Sequence, residues 1–112
     1  MSLALAERTA HGNAWASYES ALNERDALED MEVAKYEEIN ADAELMDEAM
    51  THLYLSSEDN RWLVMTTRFA VKTAVISGKT EAIQEAAVGL SDLQDKAAAM
   101  YAKHLVSRQA KN

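Results

Sequence analysis

The sequence has no cysteine and no proline, holds three glycines in 112 residues, and is only 6% aromatic. Without thiols there is no disulfide framework and no cysteine-ligated zinc site. Collagen-like and proline-rich low-complexity classes fall away with proline. No apolar run approaches the roughly 18 residues of a membrane span. The chain does not open on a basic stretch followed by an apolar core and a small-residue cleavage site, so no secretory signal is expected. Cytoplasm is the expected location, which the lack of cysteine fits.

What is present is 48% hydrophobic residues, too many for a wholly disordered chain, and a formal net charge of -8. The charge is unevenly spread. Residues 19–59 carry fourteen acids against Arg25 and Lys35, a net of -12, while residues 60–112 carry a net of +4. Such a block repels itself unless something compensates it. Three readings stand. The acids are a solvated face, or they pack against the basic half within or between copies, or they meet a basic partner. Direct nucleic-acid binding is not expected, because the bases are dispersed and no aromatics interleave with them.

The pattern is helical. Asn13 after Gly12 is a candidate N-cap. From there Trp15, Tyr18, Leu22, Leu28, Met31 and Tyr36 recur at helical spacing, followed by Ile39, Met46, Met50 and Leu53. One helix of about 40 residues would be about 60 Å long. Residues 13–55 are therefore either one helix kinked near 40 or two helices divided at Asn40-Ala41-Asp42. Ser56-Ser57-Glu58-Asp59 is a helix start with acids in its first turn. Residues 58–76 are apolar over most of the circumference, which predicts a central helix with Trp62 and Phe69 in the core; the Val, Thr and Ile content also suits a strand, the lesser reading because no other segment could pair with it. Ser77-Gly78 ends it. Thr80 is a candidate cap for a last helix striped by Ile83, Ala87, Leu90, Leu93, Ala97, Met100, Tyr101 and Leu105. The expected fold is an all-α, three- or four-helix antiparallel bundle, one helical domain over 1–112 with 1–12 and 109–112 frayed.

Catalytic signatures fail one by one. Gly78-Lys79-Thr80 looks like the tail of a phosphate-binding loop, but Thr73 stands where that loop needs glycine. No serine lies in Gly-x-Ser-x-Gly. His11, His52 and His104 lie in separate segments, and Glu48 with His52 is a single i,i+4 pair with the wrong spacing for a diiron bundle. No enzyme activity, cofactor or metal is expected.

The leading expectation is a non-enzymatic acidic interaction module. It would be an adaptor, inhibitor or assembly factor, of a composition common among accessory proteins of phages and mobile elements. Residues 19–59 would bind a protein partner with a basic surface. The candidate contacts are Glu29, Asp30, Glu32, Glu37 and Glu38, with Trp15, Tyr18 and Tyr36 as aromatic anchors. The alternative is a self-assembling subunit, a homo-oligomer formed by acidic-to-basic head-to-tail contacts.

Overall fold

The computed structural model describes the backbone of residues 3–111 and the side chains of residues 16–109. Four helices and, among the described residues, no strand make an all-α bundle. They are α1 (Leu3–Ala41), α2 (Ala43–Ser56), α3 (Glu58–Ser77) and α4 (Thr80–Lys111). The chain forms two compact units, the first ending at Met31 and the second running from Glu32 onward.

Short-range chemistry places the helix ends. α1 passes through Gly12 and Asn13 without a break, so Asn13 does not cap it. The division comes at Asp42, whose extended backbone (φ -128°, ψ 116°) lets its carboxylate accept from the backbone N–H groups of Glu44 (2.9 Å) and Leu45 (3.3 Å). A short polar side chain at this position satisfies donors that the first turn of α2 leaves without helical partners. Ser57 repeats the device for α3, accepting from the Asn60 N–H at 3.1 Å, while Glu58 and Asp59 sit at the positive end of the helix dipole. Gly78 closes α3 in the left-handed region at φ 66°, donating to the carbonyls of Ala74 and Val75. Thr80 is the first residue of α4 rather than its cap. The Lys79 carbonyl, one residue earlier, accepts the N–H of Ile83.

The core belongs to the second unit. α2, α3 and α4 pack against one another, and Ile39 from the end of α1 joins them. Ile39, Leu53 and Val64 are its largest fully buried side chains. Met50 and Leu93 join them, with Ala49, Ala97, Ala98 and Ala102 as small residues that let the helices approach closely. Of the stripe read along α4, Leu93 and Ala97 are buried, whereas Ile83 and Ala87 are exposed and Ala86 is the inward residue of that turn.

α3 has the expected span but not the expected core residues. It buries Val64 and Ala74 and leaves Trp62 61% and Phe69 71% exposed, so these aromatics are not core. The reason is geometric. Three mutually packed helices have no middle, and each keeps an outer face. An apolar circumference is buried all round only where further helices surround it.

Candidate interaction surface

Two exposed surfaces combine apolar and charged side chains. The first lies on α1. No residue from Ala16 to Met31 is buried, and Leu22, Leu28 and Met31 are exposed with the carboxylates around them. Arg25 reaches Glu29 at 3.4 Å and Lys35 reaches Glu38 at 2.9 Å, both within the helix. Asp26, Asp30, Glu32 and Glu37 have no basic partner among the described residues. Exposed i,i+4 and i,i+3 pairs of this kind contribute about 0.3–0.5 kcal/mol each. They leave most of the negative field of the helix intact.

The sequence-predicted contacts divide. Glu29, Asp30, Glu37 and Glu38 are exposed and Glu32 is half-buried. Tyr18 is exposed, and the Trp15 side chain lies outside the described residues. Tyr36 is committed internally. It is half-buried beside the core, and its hydroxyl donates to the Asp95 carboxylate on α4. That hydrogen bond, then burial, then the negative charge of Asp95 hold its phenol above the ordinary value, against a smaller opposing effect from Asn40. Tyr36 therefore fixes the end of α1, while the acids flanking it in sequence face solvent.

The second surface is the outer face of α3, which sequence reading assigned to the core. Trp62, Met65, Phe69 and Ile76 are all exposed there. At about 100° per residue they fall within an arc of roughly 60°, on the side away from Val64. Arg61, Arg68 and Lys72 fall within a neighbouring arc of roughly 40°, a cationic row along one edge of the apolar stripe. On the other edge an open groove of about 700 Å³ separates α3 from α4, lined by Thr66, Phe69, Thr73, Ala82 and Gly89 among others. A Cβ built on Gly89 would meet none of the described residues within 4 Å, so the groove is open at that point. The seven-residue spacing of Trp62, Phe69 and Ile76 was the available signal.

A third grouping joins residues that the sequence keeps apart. The His52 and His104 rings lie 4.5 Å apart between centroids, with Tyr101 5.3 Å from His52. Tyr101 donates its hydroxyl to Glu48 at 3.1 Å, and burial followed by that carboxylate raises its phenol above the ordinary value. Nδ1 of His52 is buried and has no hydrogen-bond partner, and burial followed by the charge of His104 lowers the affinity of the ring for a proton. Among the described residues no group of three or more His, Asp or Glu side chains has the geometry to hold a metal ion. No described helix is long and apolar enough to cross a membrane.

Comparison with family models, with curated proteins and with solved structures finds no match to this chain.

Proposed function

We propose that the chain is a non-enzymatic protein-interaction module, an adaptor, inhibitor or assembly factor, that binds a protein partner through its acidic first half. The observation that carries this reading is the run from Ala16 to Met31, helical along its length with no buried residue. Helices in proteins gain most of their stability by packing an apolar face rather than from propensity. Leu22, Leu28 and Met31 offer such contacts amid carboxylates. The complementary partner presents cations around apolar positions. The unneutralised acids steer the encounter, and the apolar side chains hold the complex once formed.

The test compares the native protein with a variant carrying Glu29→Lys, Asp30→Lys, Glu32→Lys, Glu37→Lys and Glu38→Lys. A partner captured by the native chain should associate more slowly with the variant and with weaker salt dependence. Backbone amides of residues 16–31 should gain hydrogen-exchange protection in the native complex. Equal association with both proteins, or protection confined elsewhere, would remove α1 as the binding surface.

A further inference from the structure

The stripe on α3 and the run of α1 both carry exposed apolar side chains, and they complement each other in charge. We infer that the partner of the acidic α1 segment includes a second copy of this chain, with residues 18–33 of one copy lying along the Trp62–Ile76 stripe of α3 in the other. This deepens the proposed function and rests on α1 being a binding surface.

Charge is the first argument. The row formed by Arg61, Arg68 and Lys72 borders the stripe; the Arg61 guanidinium lies over the Tyr54 ring, 5.8 Å from its centroid, and no ion pair to Arg68 or Lys72 is present among the described residues. The α1 segment carries Glu24, Asp26, Glu29, Asp30 and Glu32 against Arg25 alone. Leu22 and Leu28 share with Glu29 and Glu32 an arc of about 120° on that helix, which also holds Arg25, already paired with Glu29 at 3.4 Å, so Glu32 is the uncompensated carboxylate of this face. A single face of α1 therefore brings both apolar and carboxylate groups to a surface that offers apolar and cationic ones.

Length is the second. Residues 18 to 33 rise about 22 Å and residues 62 to 76 about 21 Å at 1.5 Å per residue. Area is the third. Trp62, Met65, Phe69 and Ile76 are about half to three-quarters exposed, and with fully buried aromatics covering 150–250 Å² each, the stripe offers roughly 500 Å² of side-chain surface. Each docked pair then removes about 1,000 Å² in total, the lower bound for a specific interface. The open groove beside Phe69 gives the incoming side chains a recess to enter.

A membrane surface is the weaker occupant. It would suit a stripe with tryptophan, phenylalanine and cations, but the net charge of -8 repels anionic lipid. A symmetric α3-on-α3 contact would set the cationic rows of two copies side by side, at an electrostatic cost.

The test uses the natural lack of cysteine and the full chain. Light scattering should show a mass at least twice 12.4 kDa at low salt, falling towards one chain at high salt. Arg68→Glu with Lys72→Glu should raise the dissociation constant roughly tenfold or more, because like charges then face each other. Mixing that variant with Glu29→Lys/Glu32→Lys should restore association, a rescue that a purely structural effect would not give. Leu28→Cys protein mixed with Phe69→Cys protein should form a mixed disulfide, whereas Val88→Cys, exposed on α4, should not replace Phe69→Cys. Circular dichroism establishes that each variant keeps its helices. A single-chain mass at both salts overturns the inference but leaves α1 free to bind another protein. An oligomer that survives Glu29→Lys/Glu32→Lys, or in which Phe69→Cys links only to itself, overturns the inference and shows that α1 does not make this contact.

Discussion

The Tyr36 hydroxyl donates a hydrogen bond to the Asp95 carboxylate, tying the last turns of α1 to the middle of α4 across 59 positions of sequence. One turn on, Ile39 is fully buried in the core that α4 helps to form. The end of α1 is thus anchored by one polar and one apolar contact, while residues 16–31 bury nothing. Tyr36→Phe keeps the ring and removes the donor, so it should lower the melting temperature while leaving the helix content unchanged. The native phenol ionises above the ordinary value of 10.0, so the neutral form is the one that folding favours. Its contribution is complete below that value and fades as pH rises through the native one. Native protein and Tyr36→Phe should therefore converge in stability in strong alkali. Ultraviolet titration of Asp95→Ala should show the phenol ionising earlier; an unchanged curve would mean that Asp95 is not its acceptor.

Leu53 and Phe69 should respond in opposite ways to truncation. Leu53 is fully buried among Ile39, Val64 and Ala97, so Leu53→Ala should cost about 2–5 kcal/mol, a large part of the stability of a small domain. Phe69 is 71% exposed, so Phe69→Ala should cost no more than about 0.5 kcal/mol at dilutions where only single chains are present. Urea unfolding of the two variants decides it. Equal losses would return α3 to the middle of the fold.

Asp42 divides α1 from α2 through one carboxylate that accepts two backbone N–H groups. Asp42→Ala leaves those donors to water and should cost about 1 kcal/mol, whereas Asp42→Asn, a side chain that caps equally well, should cost little. Chemical denaturation of the pair measures the difference. If both variants lose the same amount, the charge of Asp42, rather than its capping geometry, is what matters.

The α3 boundaries and the site of the α1–α2 division were legible because they depend on local chemistry, whereas Asn13 and Thr80, which look like caps, lie within helices. Ser57, Asp42 and Gly78 each perform at their own position the task their residue type implies. The all-α class was legible from helical periodicity alone. Burial was less so, because it depends on how many neighbours a helix finds. Trp62 and Phe69 have the hydrophobicity of core residues, and their spacing of seven would suit an inward or an outward stripe equally. Tyr36 read as a surface anchor because its acceptor, Asp95, is distant in sequence. The meeting of His52, Tyr101 and His104 had no local signal, since it follows from the packing of α2 against α4.

That meeting makes His52 sensitive to acid. Burial first, and then the charge of His104, lowers its proton affinity below the ordinary value of 6.5, and its buried Nδ1 has no partner to compensate. Asp47 and Glu48 line an open recess together with His52 and His104, but the Glu48 carboxylate is engaged by Tyr101. The unfolded chain thus takes up a proton at a pH where the folded one does not. The contribution of His52 is present above pH 6.5 and is lost as pH falls below it. Thermal melts from about pH 8 to about pH 5, the range in which histidine changes charge, should show falling stability. His52→Leu should flatten that slope and cost little at neutral pH, since it also removes an unsatisfied buried nitrogen. His104→Gln removes only the second cause, so the His52 titration followed by NMR should move upward and still stay below 6.5. A His52 titration that does not respond to His104→Gln would show that the two rings are not electrostatically coupled in solution.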